Sequence, residues 1–113
     1  EKEDINYFQS LIRQIPIPDN VLEYAVSLTH KTRPDGERAT DMTREYLSWG
    51  AGPRASQYLV LGAKAHAVLH GKYSPDIEDV RAIALPILRH RVIRNYKAEA
   101  EGVSIEAIVG SML

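Results

Sequence analysis

The stretch PRASQYLVLGAKAHAVLH, residues 53–70, decides how the rest of the chain is read. It has the length of a helix of several turns, and only Gln57 and Lys64 mark a clear polar stripe along it. A helix that is apolar on most sides belongs at the centre of a helical assembly. Tyr58, Leu59, Leu61, Ala65, Val68 and Leu69 supply packing surface, while Gly62, Ala63, Ala65 and Ala67 leave room for neighbouring helices. Pro53 suits the first helical position, where its missing N–H is no loss, and this puts Gly52 at the N-cap. Gly71 falls at the C′ position beyond the other end. Arg54 sits at the wrong end for a cation, since a helix N-terminus favours anions by a few tenths to ~1 kcal/mol. A guanidinium beside a helix N-terminus is suited to holding a phosphate oxygen.

Working outward, Ile5, Phe8, Leu11, Ile12 and Ile15 recur at near-helical spacing and predict a helix over Glu3 to Gln14. The run IPIPD, residues 15–19, forces an extended linker, and Asp19 is the expected N-cap of a second helix. In that helix Val21, Tyr24, Ala25 and Leu28 share a core-facing stripe, and it ends near HKTRPDG, residues 30–36. Residues 33–48 are polar and weakly patterned, and read as a long connection with a short strand or turn near Glu45 to Trp49. Downstream of residue 70, Asp76 opens another helix with an acidic first turn and a buried face of Ile77, Val80, Ala84, Ile87 and Leu88. Pro86 is expected to kink or break it. A short closing helix follows Ser104, with Ile105, Ile108, Val109 and Met112 on one side. The expected fold class is therefore all-α, a small bundle of about five helices with one long loop and almost no strand.

Composition narrows the function. With 113 residues the chain has the size of one domain with a modest core. Hydrophobic residues at 44% and charged residues at 26% give an ordinary globular balance. A net charge of -1 argues against a dedicated nucleic-acid binder. The absence of cysteine excludes a disulfide scaffold and a cysteine zinc site. No apolar run approaches the ~20 residues of a membrane span. The start, EKEDINYFQS, lacks the apolar region of a signal peptide, so a cytoplasmic location is expected. It also lacks an initiator methionine, which suggests a piece of a longer protein.

Three segments in order, GAGPRASQYLVLGAKAHAVLHGK, EDVRAIALPILRHRVI and AEAEGVSIEAIV, resemble the C-terminal lid of MoxR-type AAA+ ATPases. IPIPDNVLEYAVSLTHKTR fits the start of the same lid, so the resemblance covers nearly the whole chain. It implies residues 1–18 as linker helix and hinge and residues 19–113 as the lid bundle. It also implies that Arg54 is the sensor-2 arginine, reaching the γ-phosphate of ATP, with Pro53 and Ala55 beside it at the nucleotide. A fixed, permanently charged fork suits that role. The parent protein would bind ATP with Mg²⁺ between an AAA+ core of the same chain and this lid. Neighbouring subunits would complete a ring, hexameric by resemblance. Clients would be remodelled or matured, von Willebrand A domain proteins among them. The chain departs from the family at Gly52, where serine is usual, and at YSPDI, residues 73–77. Magnesium-chelatase-type ATPase subunits share much of this lid. No G-x-x-x-x-G-K-[ST] occurs, so the chain cannot hydrolyse ATP by itself and binds no cofactor alone.

Other features have plainer readings. His66 and His70 are spaced i, i+4, but no third ligand lies at helical reach and HAVLH is not H-E-x-x-H. They are expected to line a helix flank, with no metal site. Arg89, Arg91, Arg94 and Lys97, with His90 among them, form a basic cluster at a helix C-terminus. For Arg89, His90 and Arg91 the resemblance favours contact with the core or a neighbouring subunit. Tyr46 and Trp49 are expected to seal the loop onto the bundle, and Tyr24 and Tyr58 to be core. Two other functions compete: a stand-alone helical protein-interaction module, and a nucleic-acid-binding bundle using Arg89 to Lys97 with strong salt dependence.

Overall fold

The computed structural model describes residues 2–113 and places seven helices and a two-stranded antiparallel sheet among them. The order is α1 (Lys2–Gln14), α2 (Asp19–Lys31), α3 (Asp41–Tyr46), β1 (Leu47–Trp49), α4 (Arg54–Leu69), α5 (Ile77–Leu88), β2 (Ile93–Arg94), α6 (Tyr96–Glu101) and α7 (Ile105–Gly110). The all-α reading holds, and five of the helices fall where periodicity puts them. α3 and α6 are additions, each six residues long. One or two turns cannot show a hydrophobic period, so capping carries the only local signal. Thr40 Oγ1 accepts from Thr43 N at 3.1 Å, and Asn95 Oδ1 accepts from Ala98 N at 2.9 Å. The second half of the expected long loop is thus filled by α3 and β1, while residues 33–40 remain a connection.

α4 is the hub. It makes its most extensive contact with α5 and also packs on α2 and α1. Ala55, Leu59 and Ala63 of α4 meet Val21, Ala25 and Leu28 of α2, Val80, Ala84 and Leu88 of α5, and Ile108, Val109 and Met112 in one buried cluster. Gly62 explains how close α5 comes, because a Cβ there would stand 2.8 Å from Ile87 Cδ1. Gly71 follows α4 at φ 77°, as its sequence position predicts.

Several local expectations change. α2 begins at Asp19 itself, with Pro18 flanking and no side-chain cap. Pro53 has helical angles, but the hydrogen-bonded helix starts one residue later at Arg54. Pro86 does not break α5, which runs on to Leu88. The proline falls near the end, where it removes one amide donor, and Arg89 N still donates to Leu85 O at 2.9 Å. Buried Ala84 and Leu88 anchor the helix on either side of it. Tyr58 and Leu69 are not core, at 44% and 73% exposure, because α4 faces solvent on part of its circumference. Trp49 does not seal the loop, at 69% exposure, whereas Tyr46 packs against the core. Tyr24 is half-buried.

Candidate functional site

The loop that delivers Arg54 is bolted to the C-terminal end of α2. Thr32 Oγ1 donates to Thr29 O at 2.6 Å and accepts from Ala51 N at 2.9 Å. Arg33 Nε donates to Ala51 O at 3.2 Å. One turn into α4, Ser56 Oγ donates to Thr29 Oγ1 at 3.0 Å, and Thr29 Oγ1 in turn donates to Ala25 O at 3.2 Å. Thr29 and Thr32 are buried, so these bonds form out of water, where they hold position well. Gly50 lies against the backbone of Thr32 and Arg33 just beyond α2, without room for a Cβ. An open cleft beside the loop is lined by Arg33, Asp35, Ser48, Trp49 and Gly50.

Arg54 projects from this fixed platform. It is exposed, and no hydrogen bond or ion pair among the described residues engages it. The first turn of α4 carries no acidic residue to neutralise it. Pro53 has no N–H, and the Ala55 N–H is already given to Gly52 O at 3.0 Å, with Ala55 buried. Of the three residues expected at a nucleotide, only Arg54 therefore presents a donor.

A second polar node joins α4 to α5. Asp79 is fully buried and accepts from Asp76 N at 2.7 Å, Lys72 Nζ at 3.0 Å and His66 Nδ1 at 2.6 Å. The acidic first turn of α5 is legible in the sequence, but the burial of Asp79 within it is not. Its position three residues after the cap Asp76 was the available signal. Burial by itself raises the Asp79 carboxyl pKa, but the Asp76 amide, His66 and Lys72 outweigh it and hold the group below its ordinary value. Lys72 is raised by its hydrogen bonds to Asp79 and Asp76. Between the folded and unfolded values of Asp79 the unfolded chain binds a proton that the folded one refuses. Its contribution is therefore complete above the ordinary carboxylate value and is lost as pH falls through the folded value. Urea denaturation across the acid range should show Asp79→Asn less stable at neutral pH, with the gap to wild type closing in acid. A gap that is constant with pH would remove this assignment.

The basic cluster is spent on intrachain partners. Arg89 Nη2 donates to Glu106 Oε1 at 3.0 Å, and Arg91 Nη1 donates to Ile87 O at 2.8 Å with its guanidinium 4.3 Å from the Tyr58 ring centre. Arg94 Nη1 donates to Val103 O at 2.8 Å, and Lys97 Nζ pairs with Glu45 Oε1 at 2.6 Å. His90 is exposed beside them. These contacts tie the cations to the α5–β2–α6 corner, while Arg89 and Lys97 stay exposed in their ion pairs.

The family of this helical subdomain follows from comparison. The chain belongs to the AAA lid domain family, whose model matches residues 38–111. It is a lid of the MoxR type, as the sequence resemblance implied. It is 30% identical to the uncharacterised protein YeaC of Bacillus subtilis over 99% of this chain and 32% of that protein. Chaperone MoxR1 of Mycobacterium tuberculosis is 27% identical over 82% of this chain and 25% of its own length. The crystal structure of a candidate ATPase from Cytophaga hutchinsonii superposes with a TM-score of 0.84 at 33% identity, over 91% of this chain and 31% of that one. The chain thus spans about a third or less of the relatives it matches. No helix among the described residues is long and apolar enough to cross a membrane.

Proposed function

We propose that this domain closes over ATP and Mg²⁺ held by an AAA+ core of the parent protein, with Arg54 as the sensor-2 arginine. The observation that carries the reading is Arg54 itself, an unpaired guanidinium at the mouth of a long helix, on a loop fixed to α2 by buried threonines. A guanidinium in water costs nothing to leave unpaired. Brought against a γ-phosphate, its planar fork meets two oxygens at once and stabilises charge as the phosphoryl group transfers. Because the loop is rigid, force on Arg54 passes through Thr29 and Thr32 into α2. The bundle then turns about the linker Ile15 to Pro18, a motion that requires α1 to give up its packing on α4. In this reading the parent assembles into a ring and remodels or matures client proteins, as the chaperone named among the relatives suggests. His90 and the exposed pair Trp49 and Ile93 supply surface for contacts with the core or a neighbouring subunit.

The test uses the full-length protein. Its gene should encode a Walker-type core, and Arg54→Ala should lower ATP turnover by ~10-fold or more, about 1.4 kcal/mol of transition-state stabilisation. Arg54→Lys should recover only part of it, since an ammonium cannot grip two oxygens in a plane. Unchanged turnover in Arg54→Ala would leave the family intact and strip Arg54 of the role.

A further inference from the structure

α1 is attached to the bundle along one side. It packs on α4 and has no comparably extensive contact with any other element. Phe8 and Ile12 face that contact at helical spacing, and Ile12 is the one described α1 side chain that is buried, at 5% exposure. Ile12 lies outside the central cluster that joins α2, α4, α5 and α7. It shares an open cleft with Leu61, Gly62 and Ala65 of α4 and Ile87 of α5, so the surfaces do not close fully on each other. The side chains of Gln9 and Arg13, which border the contact, make no hydrogen bond or ion pair with any described residue. Nothing among the described residues covers α1 from outside, since Ile5, Tyr7 and Leu11 are 58%, 71% and 39% exposed. Such an element belongs at the low end of local stability, because few buried contacts must break for it to leave.

We propose that α1 is a releasable strap, anchored on α4 by Ile12 and free to leave while the rest of the bundle stays folded. The linker suits this. Pro16 and Pro18 carry no amide N–H, which interrupts the helix between α1 and α2. Pro18 is extended, at φ -64° and ψ 147°. Ile17 packs against the central cluster and pins the far end of the linker. Movement is thereby confined to the few residues between Ile12 and Ile17. The central cluster contains no α1 residue, so it survives release. A contact made by one buried aliphatic side chain is small enough to be reversed by differential binding elsewhere in the protein. The proposal rests on the lid reading above only for the force that lifts the strap; docking itself is a property of α1 and α4.

The test is distance measurement between paired spin labels in the full-length protein, at Ser10→Cys on α1 and Leu69→Cys on α4, both exposed positions. This chain has no cysteine of its own, and any elsewhere in the parent is first replaced. A short docked distance and a longer, broader released one are expected. Ile12→Ala should raise the released-to-docked ratio ~10-fold or more, whereas Ile5→Ala, at an exposed position, should leave it unchanged. Glu23→Cys on α2, paired with Leu69→Cys, should keep one distance throughout and so show the bundle intact. A single docked distance in both wild type and Ile12→Ala would overturn the proposal, as would a Glu23–Leu69 distance that changes along with the first. If the ratio responds to Ile12→Ala but not to ATP, the strap stands and the nucleotide-driven turn falls.

Discussion

Gly50→Ala is expected to lower stability by about 2–3 kcal/mol, toward the upper end for overpacking, and to dislodge the Arg54 loop. A Cβ at residue 50 would stand 2.4 Å from Thr32 O and 2.7 Å from Arg33 Cα. Both are backbone atoms, so no side chain can swing aside. Relief requires the loop to lift from α2. That movement lengthens the Thr32–Ala51 and Arg33–Ala51 bonds that hold the platform. Thermal unfolding would show the loss as a fall of roughly 4–8 °C per kcal/mol for a domain near this size. Gly52→Ala is the control. Nothing lies within 4 Å of its added Cβ, so it should be close to neutral. If both variants behave alike, the close approach at Gly50 does not secure the loop. In the full-length protein, Gly50→Ala should also lower ATP turnover with Arg54 still present.

Leu59→Ala should be the more damaging core change, at about 3–5 kcal/mol. Leu59 is 0% exposed in the central cluster shared by α2, α4, α5 and α7. Its removal leaves a cavity lined by helices that are held apart by other contacts. Leu69→Ala, ten residues along the same helix, should stay within about 0.5 kcal/mol, because Leu69 is 73% exposed. Equilibrium urea unfolding of both variants separates them. Similar losses would mean that the far end of α4 is covered in solution.

These two leucines mark where sequence reading stops. Both belong to the apolar run of residues 53–70, and periodicity treats them alike. α4 is apolar nearly all round, so its pattern identifies a hub but not which side its neighbours cover. α5 and α2 settle that for Leu59, and nothing among the described residues covers Leu69 or Tyr58 as fully. The candidate site divides in the same way. Arg54 stood out because a cation in a first helical turn contradicts the dipole. Thr29, Thr32, Ser56 and Gly50, which hold its loop, gave no such signal, since their partners lie 18 or more residues away or on crossing backbone.

By itself the sequence determined the long helices, the all-α class, the family and the exceptional arginine. Each is written in local spacing, in cap and terminus chemistry, or in an ordered set of motifs. Only the tertiary structure decided the rest: that Asp79 is buried with His66 and Lys72, that Pro86 is carried through α5, that α3 and α6 form, and that the basic cluster is internally paired. Those outcomes depend on which groups meet across the chain. Burial and pairing are properties of the meeting, not of either residue alone.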